Sequence, residues 1–227
     1  MDLTKKVIVV AGGTGAVGEG IVKALLETGA TIVVPVRTEG KGNSLREYTG
    51  NPSNLDLIAA QPGQYDSAMA FIKEVVARYG RIDLAIASIG GWYQGGRMAQ
   101  VPMSDWLQVM DNNLNAHFVF AKAMLSYFHE GDAGTYVMIN GGASEMVVPG
   151  AGPMSVIAAA QKMMAQVFRA ETRGTKVEVY SVAAFTPVIT RTRPSGPPDW
   201  LKAEEIGHYI AALYRGEKGD EVIHQLT

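Results

Sequence analysis

At 227 residues, 47% of them hydrophobic and 19% charged, the chain can bury a large core, which excludes intrinsic disorder. A formal net charge of −2 provides no general attraction to polyanions, so no nucleic-acid partner is expected. The absence of cysteine excludes disulfides, thiolate catalysis and cysteine metal sites, and fits a reducing compartment.

The opening Met1-Asp-Leu-Thr-Lys-Lys6 sets its basic pair against a run of only strand length, unlike a secretion signal. No apolar run approaches the ~18 residues that span a bilayer, so a cytoplasmic protein with no membrane association is expected. The β-branched run from Val7 to Val10 gives a first strand, which breaks into glycines and resumes at Ile21-Val22 with helical spacing through Leu25 and Leu26. Gly12, Gly15 and Gly18 stand three apart, so the backbone can turn sharply and approach a ligand with no Cβ in the way. The free N–H groups and dipole of the helix that follows favour a phosphate. A glycine turn needed only to pack helix on strand is the alternative. The position after an apolar strand and before an amphipathic helix favours dinucleotide binding.

Gly29-Ala30 closes the first helix, and Thr31-Ile-Val-Val34 opens a second strand that ends at Pro35-Val-Arg37. From Glu39 to Gln64, a short helix and a third strand around Asn54–Ala60 are expected. Asp66 is read as the N-cap of a helix carrying Met69, Ile72, Val75 and Val76 and ended by Gly80. Asp83–Ser88 is a fourth strand, followed by a flexible loop through Gly96. Ser104 is expected to cap one long helix with Trp106, Leu107, Met110, Leu114, Phe118, Ala121 and Leu125 on its apolar stripe. Then follow a strand over Thr135–Ile139, a helix from Met154 to about Arg173, a strand over Lys176–Val182, a helix over Glu204–Tyr214 and a short strand around Val222-Ile223. This alternation implies an α/β, doubly wound parallel sheet with right-handed crossovers, a Rossmann-type single domain over residues 1–227.

Over nearly its whole length the chain resembles the short-chain dehydrogenase/reductase family. The family's opening Thr-Gly-x-x-x-Gly-x-Gly is matched by Ala11-Gly-Gly-Thr-Gly-Ala-Val-Gly18, and Gly80-Arg-Ile-Asp-Leu84 is similar to the lead into its fourth strand. Asn113-Leu-Asn-Ala-His-Phe118 resembles the segment holding the family's active-site asparagine, which supports a water in the proton relay and falls on Asn113. The resemblance implies a nicotinamide cofactor contacted by Gly12, Thr14, Gly15, Val17, Gly18, Gly90 and Thr190. Arg37, at the end of the second strand where an Asp or Glu would favour NAD, points to NADP(H) through the adenosine 2′-phosphate; an ordinary surface arginine is the alternative.

The chain departs from the family pattern at the centre of its chemistry. Ala87-Ser-Ile-Gly90 stands for the family's Asn-Asn-Ala-Gly and keeps only the glycine. Gly141 or Gly142 falls at the catalytic serine, Met154 at the tyrosine and Ala158 at the lysine, while Ala184-Phe185 replaces a Pro-Gly. In relatives the lysine lowers the tyrosine pKa and the tyrosine moves the carbonyl-oxygen proton, which a thioether and a methyl cannot do. The candidates for any replacement chemistry are Asn113, Tyr93 and Ser144. Tyr93 lies at the sheet's carboxyl edge and Ser144 just beyond the vacant serine position; ordinary packing and backbone satisfaction are their alternatives. His117, one turn beyond Asn113, is a possible proton shuttle or a packed histidine, and Lys162, one turn after Ala158, a possible charge toward the ribose or a solvated lysine. No metal site is expected.

These observations give an NADP(H)-dependent oxidoreductase for a small carbonyl or activated-alkene substrate by a non-standard proton route. The alternative is a catalytically inactive NADP(H)-binding sensor or partner-supporting protein. A lyase, isomerase or cyclase on the same fold is a third possibility. A homo-dimer or homo-tetramer is expected through helices around 104–128 and 154–172, on account of Phe118, Phe120, Met124, Phe128, Met163, Met164 and Phe168.

Overall fold

The computed structural model describes residues 2–131 and 133–227. Seven strands, β1 (Val7–Ala11), β2 (Thr31–Val36), β3 (Leu55–Ala59), β4 (Leu84–Ala87), β5 (Ala133–Gly141), β6 (Lys176–Ala184) and β7 (Ile223–Leu226), form one sheet in the order β3-β2-β1-β4-β5-β6-β7. Every pairing is parallel, with Val9 opposite both Val33 and Ala85. The helices are α1 (Ala16–Leu26), α2 (Glu39–Thr49), α3 (Tyr65–Tyr79), α4 (Met103–Met110), α5 (Ala116–Glu130), α6 (Gly152–Glu171) and α7 (Ala203–Tyr214).

The strands are apolar on both faces because both faces are covered. The two-residue period sends Ile8, Val10, Ile32 and Val34 to the side of α1, α2 and α7, where they meet Ile21, Leu25, Leu45 and Ile210. Val7, Val9, Tyr136 and Met138 face the opposite side and pack with Phe71 and Ile72 of α3 and with Phe120, Met124 and Phe128 of α5. Burial of Asp83 ties the two central strands at their start. Its Oδ2 accepts from the Val7 N–H at 3.0 Å, and its Oδ1 accepts from Lys6 Nζ at 3.1 Å and from Arg81.

Several local expectations are corrected. Gln64, not Asp66, occupies the N-cap of α3, and Asp66 lies in the first turn, where its carboxylate complements the helix dipole. Ser104 is likewise inside α4, behind an N-cap at Pro102, and its hydroxyl donates to Asp105 instead. The expected single helix is α4 and α5 joined by a π-helical turn over Asp111–Asn115, a change of pitch that apolar spacing does not encode. The 39–64 region holds a full three-turn α2, closed by a left-handed Gly50. Strands β5 and β6 run to Gly141 and Ala184, and β7 lies one residue later than expected. Phe120, Met124 and Phe128 are fully or nearly fully buried on the sheet, so they belong to the core and not to a subunit contact.

Among the described residues, no helix is long and apolar enough to cross a membrane.

Candidate active site at the carboxyl edge of the sheet

Strand order reverses between β1 and β4, so the connections leaving these strands diverge and open a crevice at their carboxyl ends. Gly12 makes the turn there with a φ of +80°. A methyl at Gly12 would lie 2.0 Å from the Ser88 carbonyl oxygen, and one at Gly18 would lie 2.1 Å from the Gly12 carbonyl oxygen. Both glycines are therefore required by the fold itself. Gly15 differs: it is exposed at the N-cap of α1, extended, and a methyl there would meet only the Gly12 oxygen at 3.1 Å. Its bareness serves whatever approaches the helix end more than it serves packing. Thr14 and Val17 flank this turn half-buried, Val17 against the core.

Arg37 is exposed directly beyond β2 and makes no ion pair among the described residues. Thr190 lies in the segment after β6, but its hydroxyl is occupied within a tight turn. It accepts from the Arg193 N–H at 3.1 Å and lies 3.2 Å from the Thr192 hydroxyl.

On the β4 side, the residues expected to carry chemistry hold a loop in place. Asn113 is buried in the π-helical turn, and both ends of its amide are used: Oδ1 accepts from the Gly91 N–H at 2.9 Å, while Nδ2 donates to the Val109 carbonyl at 2.9 Å. Gly90, at φ +116°, must be glycine because a Cβ would lie 2.1 Å from Asn113 Oδ1. Gln161 of α6, which sequence reasoning passed over, donates to the Asn113 carbonyl at 3.4 Å. His117 Nε2 lies 2.8 Å from the Ile89 carbonyl, so it carries the proton, and the buried Nδ1 has no partner. Burial pushes the imidazole pKa down to about 4, against a weaker opposing effect from the Ile89 bond. A proton shuttle near neutral pH is excluded by this environment.

Tyr93 donates to Asp105 of α4 at 3.4 Å, and burial followed by the Asp105 charge raises its phenol pKa. Its loop is sewn to the start of α6, with the Gly95 N–H donating to the Gly150 carbonyl at 2.7 Å and Gln94 to the Pro149 carbonyl at 3.4 Å. Ser144 ends a short 3-10 turn after β5, half-buried, and its hydroxyl makes no hydrogen bond among the described residues. Lys162 is turned to Glu145 at 2.9 Å, an ion pair that also receives Gln225 and leaves the lysine no role beside Ala158. No hydrogen bond links Asn113, Tyr93 and Ser144 to one another among the described residues. Around the end of β5 the surroundings are apolar: Met146 Cε and the Phe185 ring close over Gly142, and Met98 Sδ lies against Gly152. Among the described residues, no group of three or more His, Asp or Glu is placed to hold a metal.

The His117 environment sets a pH dependence. Its native pKa is below the unfolded value of about 6.5, so between pH 6.5 and 4 the unfolded chain binds a proton that the native state refuses. Stability is therefore lost as pH falls through that window, by up to roughly 3 kcal/mol, and stays level below it. Urea unfolding of wild type and His117→Gln at pH 7 and pH 4 should show the wild-type advantage shrinking by about that amount. A difference that does not change with pH would contradict a buried neutral imidazole.

Comparison with known proteins agrees with this geometry. The family model described as short chain dehydrogenase matches residues 6–195. Over 117 residues the chain is 26% identical to a 3beta-hydroxysteroid dehydrogenase of Mediterraneibacter gnavus, covering 50% of this chain and 42% of that protein. It is 25% identical over 182 residues to the uncharacterized oxidoreductase YvrD of Bacillus subtilis, covering 80% and 68%. A 3-oxoacyl-[acyl-carrier-protein] reductase FabG of Buchnera aphidicola is 25% identical over 61% of this chain and 56% of its own length. The match thus spans about half the length of the first and third of these relatives. Among solved structures, a short chain dehydrogenase from Bacillus anthracis superposes with a TM-score of 0.88 at 18% identity, over 100% of this chain and 96% of that one. ElxO with NADP bound superposes at 0.86 and 13% identity, over 97% and 96%. With the family model spanning most of its length and the same sheet order carrying the glycine turn at the switch point, this chain belongs to the short chain dehydrogenase family of oxidoreductases.

Proposed function

We propose that the chain is an NADP(H)-dependent oxidoreductase acting on a small carbonyl or activated-alkene substrate, by a proton route that does not use the family's tyrosine and lysine. The observation that carries the cofactor reading is the cradle at the end of α1, where Gly15 is bare and exposed although packing constrains it far less than Gly12 or Gly18. The dinucleotide supplies hydride transfer when bound, and this chain's residues supply binding, orientation and exclusion of water. Gly12, Thr14, Gly15, Val17 and Gly18 would hold the diphosphate, Gly90 the neighbouring ribose, and Thr190 the nicotinamide end. Arg37 would meet the adenosine 2′-phosphate, since no carboxylate stands at the end of β2 to prefer a ribose diol. ElxO, of the same fold, holds NADP.

The non-standard route is supported by the residues at the family's reacting positions: Gly141 or Gly142 where β5 ends, and Met154 and Ala158 one turn apart on α6. None is an acid or a base. Ser144 has a free hydroxyl, while Tyr93 is engaged with Asp105, so solvent or Ser144 is left to serve a developing oxyanion. The same occupancy favours a second reading, a protein that binds NADP(H) without turnover.

NADPH should bind more tightly than NADH. Arg37→Ala should remove that preference, weakening NADPH by roughly tenfold to a hundredfold, the worth of a hydrogen bond to a charged group, with NADH unaffected. Gly15→Ala should weaken both cofactors with little change in Tm. Fluorescence titration decides, and equal affinities for the two cofactors in wild type would sink the assignment.

Single-turnover NADPH oxidation should be slow for want of a general acid worth typically 10²–10⁴ in rate, and should persist in Tyr93→Phe and Ser144→Ala. A fast reaction abolished by either change would reveal a replacement acid. Tight NADPH binding with no turnover over a broad carbonyl and alkene panel would select the binding-protein reading.

A homo-dimer or homo-tetramer is part of this proposal. Met103 at 66% and Leu107 at 59% exposure on α4, Phe118 at 48% on α5 and Met163 at 59% on α6 leave apolar surface on the helices named from the sequence. Light scattering at micromolar concentration should give a multiple of 24.3 kDa, and Phe118→Glu with Met163→Glu should give a monomer. A monomeric wild type would refute the assembly.

A further inference from the structure

Helix α1 carries Glu19 in its first turn, close to the helix end offered to the diphosphate, and the residue is only 3% exposed. A second anion so near the cradle requires neutralisation, which comes from a residue 172 positions away. Arg191, in the segment that follows β6, donates from Nε to Glu19 Oε1 at 3.1 Å and from Nη2 to Oε2 at 2.9 Å. This two-pronged pairing is the geometry in which a guanidinium is most selective for a carboxylate. The same Nη2 reaches Ser44 Oγ of α2 at 3.1 Å, and the guanidinium lies 5.3 Å from the centroid of the Tyr48 ring.

Tyr48 extends the connection. Its hydroxyl donates to Glu204 Oε1 of α7 at 2.8 Å, and Lys23 of α1 lies 5.1 Å from the same ring and 3.7 Å from Glu204. Burial, then the Glu204 hydrogen bond, pushes the phenol pKa up to about 12, so the hydroxyl remains a donor. The far end of the segment is also fixed. The Ile189 N–H donates to the Leu201 carbonyl at 2.7 Å, and the Ala203 N–H to the Ile189 carbonyl at 3.0 Å. Ala203 in turn sits against Gly20, where a Cβ would approach its own Cβ to 2.4 Å. Between the segment and α1 lies a cavity of ≈ 220 Å³ walled by Ala16, Gly20, Tyr48, Thr190, Arg191 and Glu204. Ala16 opens α1, so this cavity shares a wall with the cradle.

We infer that the Arg191–Glu19 pair is a latch that holds segment 186–202 closed beside the α1 cradle, and that its opening limits cofactor exchange. The inference rests on the NADP(H) reading for its second half only. In the closed arrangement the carboxylate is screened from an incoming phosphate, and the segment is tethered to three helices at once. The rigid end is the seam of α1 and α7. Ile189 is pinned by main-chain bonds to Leu201 and Ala203, so the part that must move is the loop beyond it from Thr190, which is bound through the Arg191 side chain and the Thr190–Arg193 turn.

Hydrogen exchange on the cofactor-free protein tests the latch, and stopped-flow release of NADPH tests what it controls. Arg191→Gln and Glu19→Gln should each speed exchange about tenfold or more across 186–202, leave the β1, β4 and β5 amides unchanged, and accelerate NADPH release by a similar factor. The double variant should match Arg191→Gln, because that change already removes the pairing with Glu19 together with the contacts to Ser44 and Tyr48. Arg191→Lys, which keeps the charge and loses the fork, should fall with Arg191→Gln. Unchanged exchange in both single variants would overturn the latch. So would loss of protection throughout the sheet, which marks a purely structural pair. Faster segment exchange with unaltered NADPH release would overturn the control of exchange. Release slowed by Glu19→Gln but speeded by Arg191→Gln would make Arg191 a direct phosphate ligand and overturn the latch as well. A wild type that binds no NADPH overturns the cofactor reading, while the exchange arm still decides whether the segment is latched.

Discussion

The structure depends on bare backbone where β1, β4 and α1 converge. Gly12 turns with a positive φ against the Ser88 carbonyl, and Gly18 in the next turn lies against Gly12 itself. A side chain at either point would force apart the two central strands or lift α1 from the sheet, because interiors do not absorb an overlap of more than an ångström. That contact fixes the axis of α1, and the axis fixes much else. Gly20 and Ala24 on its next turns receive Ala203 and Gly207 of α7, where added Cβ atoms would come within 2.4 and 2.7 Å. Helix α7 in turn sets where the chain after β6 must end. One steric constraint thus propagates from the first turn of the chain to its last helix.

The opposite wall of the crevice is organised by polar satisfaction. Strand β4 ends in an irregular segment whose carbonyls and N–H groups lie outside the ladder, and the π-helical turn, α5 and the approach to α6 supply partners for its main chain. Asn113 takes the Gly91 N–H and His117 meets the Ile89 carbonyl, one helical turn apart. Both side chains are buried, so both bonds matter more than their surface counterparts would. The π-helical turn widens the helix at the point where Asn113 must reach the loop, and its carbonyl is met by Gln161 from α6. Groups with the composition of a proton relay therefore work as scaffolding for the loop that would lie along a bound dinucleotide.

Much of this was legible in the sequence, and what was not has identifiable causes. Strand runs such as Val7–Val10 and Thr31–Val34 read correctly because parallel strands buried on both faces need continuous β-branched residues. The glycine turn read correctly because its spacing follows from helix geometry. The sorting of Phe118 from Phe120 did not, since two aromatics two residues apart on a helix point in different directions, and only the sheet's position tells which is inside. Helix starts at Gln64 and Pro102 were missed because neither N-cap residue makes a side-chain cap bond, leaving no capping signature to find. The glycines also hid a division of labour: the sequence pattern treats Gly12, Gly15 and Gly18 alike, whereas neighbouring atoms forbid a side chain at the first and third and press on the second only through the Gly12 oxygen at 3.1 Å. Arg191 and Glu19 carried no signal, because a pairing across 172 positions is defined only after the sheet has brought β6 back beside α1.

The carboxyl edge beyond β5 then has an electrostatic character that follows from what surrounds it. Gly142 is covered by Met146 and Phe185, and Met154 lies in the first turn of α6, one turn before Ala158. The nearest ion pair, Glu145 with Lys162, is closed on itself and supplemented by Gln225, so it lends neither a free charge nor a mobile proton to that edge. A charge appearing there during reaction would be poorly solvated by side chains and would depend on main-chain N–H groups, on the Ser144 hydroxyl or on water. Such surroundings favour a substrate whose carbonyl is already activated, or whose acceptor carbon is conjugated, because charge is then spread over more atoms at the transition state and less stabilisation is asked of the protein. On the proposed function, the apolar lining and the absence of an acid at this edge would be two aspects of one constraint, and the substrate would have to bring the electronic assistance that this edge of the sheet does not supply.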